Sequence, residues 1–153
     1  HLAAMAIDIK GVGHVVLKVR DRERSARFYR DVLGLREVAR LGDRMVFFTT
    51  GRGNHHDLAI LEVGEGAPDP ARDAVGLYHV ALKVGDRLED LRAVKEHLDR
   101  HGVKPLRLTN HRVSQSIYLN DPDGNGLELF VDADPKIWQD DPTAVATVGP
   151  LDL

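Results

Sequence analysis

The chain has 153 residues, 42% of them hydrophobic and 29% charged, which suits one compact folded domain and excludes a disordered or fibrous chain. It contains no cysteine, so a disulfide scaffold, a thiol nucleophile and any Cys-ligated metal are excluded, and a metal would have to be held by His and carboxylates. With 21 Lys and Arg against 24 Asp and Glu, a formal charge of −3, there is no basic surplus for nucleic acid; with no apolar run near about 20 residues, no membrane span is expected either.

In chain order, residues 1–7 read as an extension, in which His1-Leu2-Ala3-Ala4-Met5 looks like a cloning remnant ahead of a natural Met5. No basic segment leads into an apolar one, so a cytoplasmic location is expected. His14-Val15-Val16-Leu17-Lys18-Val19-Arg20-Asp21-Arg22 then matches His79-Val80-Ala81-Leu82-Lys83-Val84-Gly85-Asp86-Arg87 at seven of nine positions, 65 residues on. Each copy predicts a strand, a turn and a helix. Ala26, Phe28, Tyr29, Val32 and Leu33 mark the first helix, stopped at Gly34, and Leu88, Leu91, Val94 and Leu98 the second, stopped at Gly102. Three strands follow each helix: Arg36–Arg40, Met45–Thr49 and Asp57–Val63 in the first copy; Lys104–Leu108, Ser116–Leu119 and Leu127–Val131 in the second. The expected organisation is therefore two βαβββ modules, residues 8–66 and 77–132, with a linker at 67–76 and an irregular tail at 133–153.

Two such modules, each opening on a His and each with a Gly-Asn turn (Gly53-Asn54, Gly124-Asn125) before its last strand, together with the run Asp121-Pro122-Asp123-Gly124-Asn125-Gly126-Leu127-Glu128-Leu129, resemble the vicinal oxygen chelate superfamily. That superfamily includes glyoxalase I, bleomycin and fosfomycin resistance proteins, methylmalonyl-CoA epimerase and type I extradiol dioxygenases. The resemblance covers about residues 8–132. It implies an α+β fold whose modules pair into an open eight-stranded barrel around a divalent metal, with His14, His79 and Glu128 as ligands. The chemistry agrees. Two imidazoles and one carboxylate leave coordination positions free for substrate and dioxygen, as a non-haem Fe(II) site requires. A lone His opening a strand is more often a hydrogen-bonded structural residue, but the same His in both repeats is harder to explain that way. A carboxylate between Leu127 and Leu129 is costly to desolvate unless it is paired or metal-bound.

The remaining histidines bear on the branch of the superfamily. His56-Asp57-Leu58-Ala59 is similar to a segment of catechol 2,3-dioxygenases in which the His is an acid/base, and His111 through Tyr118 resembles their active-site segment. Strict alternation sets His55 and Asp57 on one face and His56 on the other, and a bulge beside Gly53 would reverse this. His56 is therefore preferred, with His55 as its rival and Asp57 as a possible fourth ligand. His111 could equally be a solvated loop residue and Tyr118 a packed strand residue. His97 and His101 read as surface groups at a helix C-terminus.

The function this implies is an Fe(II)-dependent extradiol dioxygenase acting on a catechol-like diol. In it His56 or His55 moves the diol proton, His111 stabilises developing charge, and Tyr118 hydrogen-bonds a substrate oxygen. Phe47, Phe48 and Leu108 are candidate pocket walls. The alternatives are a glyoxalase- or epimerase-type lyase or isomerase, using Mn, Zn, Ni or Co with a fourth ligand from Asp57 or Glu62, and a metal-independent antibiotic-binding protein. A homodimer is expected, although one chain carries both modules and so enough to complete a single metal cup.

Overall fold

The computed structural model describes residues 6–153; the remnant expected at residues 1–5 lies outside them. Alternation makes the first strand, β1 (Val15–Val19), one-sided: Leu17 and Val19 are buried while Val16 and Lys18 are exposed. Asp21 then caps helix α1 (Arg22–Arg27), its carboxylate accepting from the N–H groups of Glu23 and Arg24. The helix continues as a π turn over Phe28–Val32, in which the Leu33 N–H reaches back five residues to the Phe28 carbonyl. Gly34, at φ 78°, ends it.

Strands β2 (Arg36–Leu41), β3 (Met45–Thr49) and β4 (Leu58–Glu62) complete a four-stranded sheet in the order β1-β4-β3-β2, with β1 parallel to β4. The second half repeats this plan with β5 (Val80–Gly85), α2 (Leu88–Arg100), β6 (Arg107–Asn110), β7 (Ser114–Asn120) and β8 (Gly126–Asp132). Its sheet runs β5-β8-β7-β6-β9, the last strand (Gly149–Pro150) coming from the tail. β6 begins three residues later than the sequence suggests. Pro105 has no N–H to give to a ladder, and register pairing with β7 starts only at Arg107.

The fold is α+β. No closed barrel is formed, in keeping with the open arrangement expected: the described strands lie in two separate sheets of four and five, the fifth strand of the second coming from the tail, and β1 and β5 each keep one edge unpaired. The stretch after residue 132 is also more ordered than expected, with helix α3 (Lys136–Asp140), a 3-10 turn (Pro142–Ala146) and β9.

Both sheets turn their apolar faces to one shared core. Leu17, Val19, Tyr29, Phe48 and Ile60 join Leu91, Leu98, Ile117, Leu127 and Leu129 in a single buried cluster. The Asp121–Asn125 turn clamps the halves together. Asp121 accepts from the Tyr29 hydroxyl at 2.7 Å, and Asp123 from Ser25 Oγ, the Arg20 N–H and the Arg20 and Arg24 guanidinium groups. Asn125 Nδ2 donates to the Lys18 carbonyl. With the cores shared, the faces carrying His14 and His79 point outward. Among the described residues no helix is long and apolar enough to cross a membrane.

Candidate metal centre

The second sheet assembles most of the expected site. Register sets Arg107 opposite Tyr118, Tyr118 opposite Glu128, and Glu128 opposite Ala81, a row across four strands. His79 lies two residues before Ala81 on the same face, and its Nε2 stands 3.0 Å from Glu128 Oε1. Metal–ligand bonds of about 2.1 Å set neighbouring ligands about 3 Å apart, so the pair has the spacing of two adjacent ligands of one ion. Glu128 is buried, and its second oxygen accepts from Ser116 Oγ.

Tyr118 and His111 complete this half. His111 Nδ1 donates to the Thr147 carbonyl at 2.8 Å, because a carbonyl can only accept. In the neutral ring Nε2 is then an acceptor, and the Tyr118 hydroxyl lies 2.8 Å from it. Burial, followed by the neighbouring Glu128 charge, pushes the Tyr118 hydroxyl above its usual range, so it stays a donor at neutral pH. His111 is therefore held through both ring nitrogens rather than free in a solvated loop, and Tyr118 is buried in its strand with its hydroxyl satisfied by His111.

The first sheet gathers His14, His55 and His56. His14 lies against His56 with ring centroids 4.3 Å apart, and His56 also meets the edge of Phe47 at 5.4 Å. His55 Nδ1 is 2.6 Å from His56 Nδ1. Residues 55–57 precede β4, so strand alternation does not govern them, and Gly53 at φ 96° turns the loop that brings His56 over His14. Desolvation, then the nearby His14 and His55, holds the His56 imidazole below its usual range, so it is neutral and able to accept a proton.

The two groups do not meet within one chain. Among the described residues no three His, Asp or Glu side chains are arranged to hold a metal ion. His79 and Glu128 fit one as a pair, whereas His14 stands with His56 on the other sheet, so one chain does not complete the cup as its two modules suggest.

Asp57 and Glu62, the possible fourth ligands, are engaged elsewhere. Asp57 accepts from Thr50 N at 2.8 Å and from Thr49 Oγ1 and Asn54 Nδ2, and the Thr50 N–H above all holds its carboxyl below the usual range. Glu62 accepts from the Arg22 N–H and guanidinium. His97 departs from expectation too: half-buried, it reaches the Val32 carbonyl of the π turn at 2.7 Å. Of the candidate walls, Phe48 and Leu108 belong to the core and Phe47 to the site. Three contributors escape the sequence reading. Ser116 and Arg107 become visible only once strand register is known, and Thr147 only once the tail is seen to pair with β6.

The sequence matches the Glyoxalase/Bleomycin resistance protein/Dioxygenase superfamily over residues 11–129. It is 37% identical over 131 residues to a catechol-2,3-dioxygenase of Bacillus subtilis (strain 168), covering 85% of this chain and 44% of that protein. It is 31% identical over 124 residues to biphenyl-2,3-diol 1,2-dioxygenase 3 of Rhodococcus globerulus, covering 79% of this chain and 63% of that protein. The chain thus spans less than two thirds of the length of these relatives. Among solved structures it is similar to a glyoxalase/dioxygenase from Nostoc punctiforme, with a TM-score of 0.68 and 22% identity over 82% of this chain and 92% of that one.

Proposed function

This chain belongs to the glyoxalase/bleomycin resistance protein/dioxygenase superfamily, and from that premise we propose that it is an extradiol dioxygenase, which opens the ring of an aromatic diol with dioxygen at a non-haem Fe(II) centre. The observation that carries this reading is the engagement of Asp57 and Glu62 in structural hydrogen bonds, which leaves His14, His79 and Glu128 as a set of two imidazoles and one carboxylate. When bound, the metal supplies the redox chemistry and the template that brings diol and dioxygen together, in coordination positions such a set leaves open. A glyoxalase- or epimerase-type lyase would draw a fourth ligand from Asp57 or Glu62. A metal-independent antibiotic-binding protein would have no use for the pairing of His79 with Glu128.

Around this set the chain's own groups divide the work. His56 accepts the proton the diol gives up and returns one after ring opening. In the free protein the single Tyr118 hydroxyl proton goes to Nε2 of His111, whose ring is fixed by the Thr147 carbonyl. When the diol binds, that proton turns to a substrate oxygen, and His111, taking up a proton at Nε2, stabilises developing charge. Ser116 fixes the orientation of Glu128.

The reading includes a homodimer in which His14 of one copy joins His79 and Glu128 of the other. Its support is the separation of the ligands within one chain, the unpaired outer edges of β1 and β5, and the exposed Val12, Val16, Leu77 and Tyr78 beside the two histidines. Anaerobic loading with Fe(II), metal analysis and an oxygen electrode test the function. Bound iron and oxygen uptake with a catechol panel are expected; absence of both contradicts the reading.

A further inference from the structure

Arg107 is the one feature of this face that the proposed chemistry leaves unused. It stands opposite Tyr118 in the β6–β7 register, and its guanidinium carbon lies 3.9 Å from the centre of the Tyr118 ring. Arg107 has no ion pair with a carboxylate among the described residues, unlike Arg20, Arg22 and Arg40 but like several other arginines of the chain; what sets it apart is its place over Tyr118. It is exposed, yet it also lines a cavity of about 220 Å³ shared with His79 and Tyr118 and walled by Tyr78, Leu106 and Leu127.

A guanidinium has five N–H donors in a fork, so one resting over an aromatic ring keeps donors for a further acceptor. With no carboxylate of its own, it can receive a planar anion through two parallel hydrogen bonds. A diol whose oxygens lie toward His79 has its ring in this cavity, and a substituent on that ring extends along the strand row toward Arg107. We propose that the substrate is an aromatic diol bearing a carboxylate substituent, and that Arg107 binds that carboxylate. The inference rests on the dioxygenase reading and names its substrate class.

Anaerobic calorimetric titration of the Fe(II)-loaded protein with 3,4-dihydroxyphenylacetate and with 4-methylcatechol, its uncharged counterpart, tests it. The carboxylate compound binds about tenfold tighter or better. In Arg107→Gln the ratio falls to within about twofold of unity, and in Arg107→Lys, which keeps the charge but loses the fork, it falls part of the way. Thermal melts confirm that both variants are folded. A ratio near one in the unaltered protein, a ratio that survives Arg107→Gln, or an equal loss of affinity for both diols overturns the proposal while leaving the dioxygenase reading intact. Binding of neither diol overturns both.

Discussion

Nε2 of His79, the residue just before β5, stands 3.0 Å from Oε1 of Glu128 on the parallel neighbour β8, with Ser116 holding the other carboxylate oxygen. That spacing on a buried carboxylate suits two ligands of one divalent ion, the role the proposed function gives the pair. Glu128→Gln and His79→Ala are each expected to lose bound metal, measured by elemental analysis of protein dialysed after Fe(II) loading. Ser116→Ala is expected to keep the metal site but weaken it by about tenfold, the usual cost of removing a group that orients a ligand.

His56 lies over His14 but has a different task. His56→Ala should retain metal and lose turnover by about 10²–10⁴-fold, as removal of an acid/base group does. If iron is lost along with activity, the loop before β4 is a ligand loop and the proton carrier must be sought elsewhere.

The separation of His14 from Glu128 predicts complementation. His14→Ala and Glu128→Gln chains, each inactive alone, should on mixing, unfolding and refolding form dimers with one intact site. Random pairing gives about a quarter of the unaltered metal content and activity. No recovery in a dimeric mixture would mean that all three ligands come from one chain.

Asp57 should contribute to stability rather than to metal binding. Its carboxylate accepts three hydrogen bonds from the Thr49–Asn54 loop, so Asp57→Asn is expected to destabilise the fold by about 1–2 kcal/mol in urea unfolding at neutral pH, with metal content unchanged. The sign of the pH effect follows from its depressed pKa. The contribution is complete above the unfolded aspartate value of about 4 and is lost as pH falls through the lower folded value. The gap between the two proteins should therefore close in acid.

The clamp between the halves makes a sharper demand. The Asp123 side chain is buried and receives donors from Arg20, Arg24 and Ser25, so Asp123→Ala leaves the Ser25 hydroxyl and the Arg20 N–H without this partner and removes one carboxylate from Arg20 and Arg24. A loss of about 2–4 kcal/mol is expected in denaturant melts. A change below about 0.5 kcal/mol, ordinary for a surface substitution, would show that the turn does not hold the sheets together.

How far the sequence could be read depends on the range of the interactions involved. The repeated His-Val-x-Leu-Lys-Val strands are legible because alternation of side chains is local, and Glu128 stands out because a carboxylate in an apolar strand needs a partner. The row from Arg107 through Tyr118 to Glu128 is not legible, because it depends on register, and Pro105 moves the start of β6. The π turn depends on five-residue hydrogen bonds such as that from Leu33, which leave no mark in the apolar spacing. The separation of His14 from His79 follows from how the sheets are joined, and Asp121 to Asn125 read only as a turn until Tyr29, Ser25 and Arg20 are seen bonded to them.

The most direct test of the central claim is the mass of the product formed when the Fe(II)-loaded protein meets a catechol and dioxygen. The account predicts a yellow ring-opened acid heavier than the diol by one molecule of dioxygen, with isotope incorporated from labelled oxygen gas. An unchanged diol, or a product carrying no oxygen from the gas, would contradict it.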